Sequence, residues 1–369
     1  MRASVLQARF PTDVVTMYKV LMVGPDRMLP GGIVTVVNGL LSTGFSSEIK
    51  VDYLGTGHGD GLVRKCLSFC SSLWEYRKVI TDYDLVHFHV SARGSFWRKA
   101  LMCRIAQSRG KAIVLHEHSG EFAKDYEAAP KWKKRIVRNV FSSADAVIAL
   151  SRTWLEFFEN ELGCNNVSVI CNGVPVPDRE AAPSTSNQIL YLGRLDDNKN
   201  PAMLIEAVRE LKSSGVACRC IFAGNGDVER YENMAEAAGV GDVCEFAGWV
   251  NGKKREEFIL TSTLLCMTSY CEGLPMSILE CMSFGIPVVA TAVGGIPDVI
   301  LDGVNGVLIP PGDSHRLAKV LAKMLADPAL RAKMGRAARD GVKSGYSVDR
   351  VCSEIECLYK ELIANREVD

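Results

Sequence analysis

Two carboxylates, Glu272 and Glu280, stand with seven residues between them, and Gly273, Leu274 and Pro275 follow the first directly. A short apolar run, Leu264 to Met267, leads into this stretch. A helical pattern runs from Pro275 to about Phe284, where Gly285 is a natural stop. Proline suits a first helical turn because its missing N–H would be unpaired there anyway. The amides of Gly273, Leu274 and Met276 would therefore gather at a helix N-terminus, whose partial positive charge attracts anions, phosphate above all. A carboxylate accepts several hydrogen bonds, so two of them beside such a site suit polyol hydroxyls. A sugar nucleotide offers both groups at once.

A second constellation lies upstream. Gly193-Arg194 closes the apolar run 188–192, and Lys199 stands just before Asn200-Pro201, the layout of a capped helix start. One strand-to-helix loop thus carries a guanidinium fork and an ammonium point charge, a pair suited to a diphosphate. Spacing alone reads them equally well as solvated loop cations. Gly31-Gly32, ahead of the helical pattern Ile33 to Leu41, would let a diphosphate approach the backbone, although two glycines alone read as a flexible turn. His87-Phe-His89 and His116-Glu-His118 each end an apolar strand pattern, and H-x-H on a strand puts both rings on one face. Metal binding has to be weighed, but no third ligand at metal-site spacing accompanies either pair, so structural histidines are the plainer reading. Gly224-Asn-Gly226 lacks the third glycine of a dinucleotide fingerprint, which argues against NAD.

The ordered series from Glu272-Gly-Leu-Pro to Glu280, Gly285-Ile-Pro through Gly294-Gly-Ile-Pro-Asp298, Asp302-Gly-Val-Asn-Gly306 and Pro310-Pro-Gly-Asp313 resembles the C-terminal domain of retaining glycosyltransferases with the GT-B fold, in particular glycosyltransferase family four, whose signature is E-x7-E. The resemblance covers roughly residues 18–345. It implies that Gly31 and Gly32 lie against the donor phosphates. It implies that Arg194 and Lys199, matching G-R-x-x-x-x-K, hold the diphosphate. Glu280 would hold the ribose hydroxyls and Glu272 the donor sugar, with Gly273, Leu274 and Pro275 beside them. Trp249 and Val250 would line the nucleobase pocket. The family's strand-then-HG site falls on His118, with Ser119 inserted before Gly120, and His116 is the alternative. The implied catalytic set is His118, Arg194, Lys199 and Glu272. No metal and no cofactor are expected, only a UDP- or GDP-linked sugar as substrate.

The elements that must position these groups follow from periodicity. Apolar strand runs alternate with amphipathic helical stretches in both halves, which argues an α/β fold of two doubly wound, Rossmann-like sheets facing across a cleft. The expected organisation is a leader at 1–16, an acceptor-side domain at 17–177, a linker at 178–187, a nucleotide-sugar domain at 188–345, and a helix at 346–369 that crosses back to the first domain. Helices are expected near 314–326, 329–342 and 347–363. The chain has 369 residues, with 43 Lys+Arg and 43 Asp+Glu, which gives no electrostatic case for nucleic acid. No run reaches the roughly 18 apolar residues of a membrane span. Thirteen scattered cysteines without a C-x-x-C pair favour a reducing cytosol over a disulfide framework.

The stretch Lys131 to Phe141 combines five basic residues, none of them offset by an acid, with Trp132, Ile136 and Val140 at i, i+4 spacing. Such a helix is either an ordinary core-packed one or a peripheral anchor on an anionic membrane face. The cluster Arg93, Phe96, Trp97, Arg98 and Lys99 favours the anchor. The reading is a cytoplasmic retaining glycosyltransferase of glycan, polysaccharide or glycolipid synthesis, with a sugar or lipid-linked sugar acceptor. A GT-B sugar-nucleotide epimerase and a non-catalytic sugar-nucleotide-binding subunit are the rivals.

Overall fold

The computed structural model describes residues 17–57, 62–181 and 186–367, so the expected leader and part of the expected linker lie outside the described residues. The first half alternates β1 (Tyr18–Pro25), α1 (Gly32–Thr43), β2 (Ile49–Thr56), α2 (Leu62–Val79), β3 (Leu85–Val90), α3 (Gly94–Ser108), β4 (Ala112–Glu117), α4 (Phe122–Glu127), α5 (Lys131–Ser142), β5 (Ala146–Ala149), α6 (Arg152–Asn160) and β6 (Val167–Val169). The second half continues with β7 (Gln188–Leu192), α7 (Pro201–Ser213), β8 (Arg219–Ala223), α8 (Val228–Ala237), β9 (Cys244–Gly248), α9 (Gly252–Thr261), β10 (Leu264–Met267), α10 (Met276–Ser283), β11 (Val288–Thr291), α11 (Ile296–Val299), β12 (Gly306–Ile309), α12 (Ser314–Ala326), α13 (Pro328–Gly345) and α14 (Val348–Glu367).

Each half builds one parallel six-stranded sheet, ordered β2-β1-β3-β4-β5-β6 and β12-β11-β10-β7-β8-β9. Parallel strands covered on both faces must be apolar along their whole length, and β3, β4, β7 and β10 are buried at every residue. In each sheet the order reverses once, between β1 and β3 and between β7 and β10. At such a point successive loops diverge and leave a crevice at the strand C-termini, which is where ligands bind in open α/β sheets. Fold chemistry alone therefore places the loops after β1, β7 and β10 at a site.

One continuous core spans both halves, from Val20 and Met22 through Leu190 and Leu265 to Ile355 and Tyr359. The last helix, α14, packs on α1 and reaches β4, so the C-terminal segment lies on the first sheet. Val174 and Ser347 form a parallel bridge where the chain crosses. The buried Arg339 donates to the carbonyls of Pro177 and Ser283, tying the connection to the second domain. No described helix is long and apolar enough to cross a membrane. All thirteen cysteines are free.

Candidate active site

A cleft of about 480 Å³ lies between the two sheets and gathers residues from both switch points. Of the sequence-derived candidates it is lined by Gly31, Gly32, His118, Arg194, Lys199, Trp249, Val250, Glu272, Gly273, Leu274 and Pro275. Glu280 is the exception. Its carboxylate turns to Arg255 on α9, which donates from Nε at 2.7 Å, and it is Arg255 that lines the cleft.

The loop after β7 is held rigid by buried polar groups. The hydroxyl of Tyr191, a residue at 2% exposure, donates to the carbonyls of Arg194 and Lys199 at 3.0 and 3.2 Å. Asp196 accepts from the Lys199 amide at 2.9 Å, and Thr268 donates to the Asn200 carbonyl at 2.7 Å. Asn198 reaches the carbonyl of Cys271, and the Tyr270 amide returns to the carbonyl of Asn198. The loops after β7 and β10 are thus laced to each other. Pro201 opens α7 as expected, but Asn200 takes a left-handed conformation (φ 48°) and makes no side-chain cap. From this loop Lys199 extends its ammonium to Glu272 Oε1 at 2.6 Å, and Ser269 donates to the same oxygen at 2.6 Å. Glu272 is buried, whereas Arg194 is two-thirds exposed and rests at 3.4 Å from Asp196. Arg194 is free to swing toward a ligand, and Lys199 must exchange a carboxylate for one.

Pro275 takes the N-cap position of α10, which ends with Gly285 at φ 79°. The amides of Met276 and Ser277 therefore open a helix and lack intrahelical partners, so of the expected Gly273, Leu274 and Met276 only Met276 belongs to its first turn, at an end that attracts anions. The N-terminus of α1, at Gly31-Gly32, lies on the same cleft. Asn172 is buried and donates across the domains to the Leu274 carbonyl at 2.8 Å.

The loop after β4 brings His118 into this cleft. Glu117 is buried and accepts from the Ser119 amide at 2.7 Å, and burial pushes its carboxyl well above the usual range. Gly120 has no room for a side chain, since a Cβ there would sit 2.5 Å from Glu272 Cα. That close approach is why a glycine follows the histidine. His116, the alternative, is fully buried behind the cleft and does not line it.

The sequence offered no third partner for either H-x-H pair, yet the fold brings the two pairs together. The parallel register sets His89 opposite His116, and the four rings pack as a cluster in which His89 and His116 each neighbour the other three, with centroids 4.0–5.4 Å apart. Burial pushes His87 and His118 down to about 3 and holds His89 and His116 well below the usual histidine range. Nitrogens of His87, His89 and His116 lie within 4.8 Å of one another. A tetrahedral zinc at 2.0–2.1 Å would want them roughly 3.4 Å apart. The charged neighbour acting on His89 and His118 is the buried cation Lys99, whose amine burial lowers to about 7. The zinc spacing falls inside the observed bound, and it is the cationic Lys99 beside the rings that suits packed neutral imidazoles better than a further cation.

On the outer face of the first domain, α5 turns Val137 and Phe141 inward and leaves Trp132 and Ile136 exposed among Lys131, Lys133 and Arg135. The stripe at i, i+4 is therefore not the core-facing one. Phe96 and Lys99 are buried, which corrects their reading as surface residues. Of that cluster, Trp97 and Arg93 face outward, with Trp97 6.4 Å from Trp132.

Comparison with known proteins gives the same outline. The family described as Glycosyltransferase Family 4 matches residues 48–176, and that described as Glycosyl transferases group 1 matches residues 177–341. The chain is 30% identical over 175 residues to an alpha-D-kanosaminyltransferase of Streptomyces kanamyceticus, covering 47% of this chain and 45% of that one. It is 28% identical over 289 residues to a D-inositol 3-phosphate glycosyltransferase of Streptomyces avermitilis, covering 69% and 61%. The chain thus spans about half of the length of these relatives. Sucrose-phosphate synthase of Thermosynechococcus elongatus superposes with a TM-score of 0.78 at 18% identity, over 94% of this chain and 100% of that one. Anabaena HepE in complex with UDP and glucose superposes at 0.76 and 19% identity, over 93% and 100%. At these identities the superpositions establish the GT-B fold alone.

Proposed function

Because the chain belongs to the group 1 glycosyltransferases of family 4, we propose that it moves a sugar from a nucleotide-diphosphate donor to an acceptor hydroxyl, with retention at the anomeric carbon. The observation that carries this is convergence. Arg194, Lys199 and the N-terminus of α10 face one cleft at the switch point of the second sheet, opposite His118 and the N-terminus of α1 from the first. A diphosphate departing there would meet cations and helix dipoles already in place, and such pre-organised charge is worth most where it meets charge that develops during reaction. Glu272 and His118 are set to contact the sugar, and the half-exposed Trp249 to stack on the base. Glu280 holds Arg255 through Oε2, so it is the Arg255 guanidinium that Glu280 presents to the ribose side of the cleft. This set needs no metal to neutralise the diphosphate.

A sugar-nucleotide donor such as UDP-glucose matches what HepE is seen to bind, and a GDP-linked sugar is the alternative. The acceptor side is more open. The exposed Trp97, Trp132 and Ile136 among basic residues favour an acceptor presented at an anionic membrane surface, with the protein peripheral on its cytoplasmic side. The test is a donor screen by thermal shift, since a ligand that binds only the folded state raises stability. It is followed by analysis of the anomeric configuration of the product with and without acceptor. Donor-dependent transfer with retention is expected. Epimerised nucleotide sugar formed without acceptor, or binding without turnover, would replace this reading.

A further inference from the structure

The histidine cluster behind His118 takes no part in the chemistry proposed above, yet it touches the one ring that does. His89 Nδ1 lies 3.0 Å from His118 Nε2. His87 stacks on His89 and is held at its far end by the Tyr359 hydroxyl of α14, 2.5 Å from Nδ1. His116 packs against both His118 and His89, at 4.0 and 5.4 Å between centroids. A nitrogen–nitrogen contact between two neutral imidazoles contains one hydrogen, so the tautomer of either ring dictates that of the other. The remaining nitrogen of His89, Nε2, is buried with no hydrogen-bond partner. Buried N–H groups without an acceptor are rarer than buried acceptors without a donor. The hydrogen of His89 therefore belongs on Nδ1, where it is bonded. His118 must then accept at Nε2 and carry its own hydrogen on Nδ1, the nitrogen left to meet a ligand. This is the reverse of the Nε2–H form that free histidine prefers.

We propose that His89 is a positioning residue, which donates from Nδ1 to His118 Nε2 and so locks His118 as a Nδ1–H hydrogen-bond donor to an oxygen of the transferring sugar. The proposal rests on the reading of His118 as a sugar contact, and the experiment separates the two. Long-range ¹H–¹⁵N spectra of ¹⁵N-histidine protein, with His118 assigned by its loss in His118→Ala, should show the Nδ1–H form at neutral pH. His89→Leu should release that form and lower kcat by about 10²-fold, the scale of a misplaced catalytic contact, while donor Kd is unchanged. His89→Asn, whose amide can donate from near the position of Nδ1, should recover most of the loss. In a His118→Ala background His89→Leu should cost nothing further, whereas a merely structural role would add. Unimpaired turnover in His118→Ala would overturn the sugar contact itself. Impaired His118→Ala beside normal His89→Leu, or a Nε2–H His118 in the spectrum, would overturn the lock alone. The spectrum decides the tautomer even where His89→Leu fails to fold.

Discussion

Removing the two cations of the β7–α7 loop separates catalysis from stability, because the structure treats them differently. Lys199 is bonded to the buried Glu272 at 2.6 Å, and among the described residues Ser269 is the only other side chain bonded to that oxygen. Lys199→Ala strands a carboxylate in the interior. Breaking a buried ion pair costs about 3–5 kcal/mol, and partial solvation of Lys199 reduces this to roughly 2–3 kcal/mol. Arg194 is exposed and loosely paired, so Arg194→Ala should leave stability within about 0.5 kcal/mol. In turnover the two should look alike, since losing one pre-organised donor to developing charge typically costs about 10²–10³ in rate. Arg194→Lys keeps charge but loses the bidentate fork, and should fail nearly as badly. Donor affinity should fall less than kcat, because only interactions that strengthen in the transition state raise the rate. The assay is urea unfolding together with kcat and donor Kd for the three variants. Near-normal kcat in all three would make the loop an ordinary solvated turn. Equal stability of Lys199→Ala and Arg194→Ala would refute the buried pair.

Other perturbations read other parts of the cleft. Gly120→Ala places a methyl group against the Glu272 backbone, so kcat should fall more than tenfold with a lowered Tm, and normal kinetics would show that the two loops separate freely. Since His87 and His118 titrate near 3 rather than 6.5, and His89 and His116 also well below it, the unfolded chain takes up more protons as pH falls below 6.5. Stability should therefore drop on going from pH 7 to pH 5 in urea titrations, and less so in His116→Leu. Co-sedimentation with anionic vesicles, weakening as salt rises, is expected of the native protein and should be lost when Lys131, Lys133 and Arg135 are changed to Glu. Binding that survives the reversal would remove the membrane from the account.

Local backbone physics governs the features that are legible in the residues alone. Apolar runs of strand length alternating with amphipathic stretches specify two parallel sheets, because a βαβ unit buries both faces of each strand. Glycine and proline spacing marks the loops of Arg194 and Lys199 and the start of α10, since those residues act through their own φ and their own N–H. Partners far apart in the chain were left to the tertiary structure. The pairing of Lys199 with Glu272 and of Arg255 with Glu280, the reach of Asn172 to Leu274, and the burial of Lys99 depend on how loops from different elements meet. The histidine cluster is the sharpest instance. Each H-x-H pair is visible as strand periodicity, but the register between β3 and β4, which sets His89 opposite His116, is a long-range choice made by the packing of both sheet faces. Only α14, folding back from the far end of the chain, brings Tyr359 to His87 and completes the cluster.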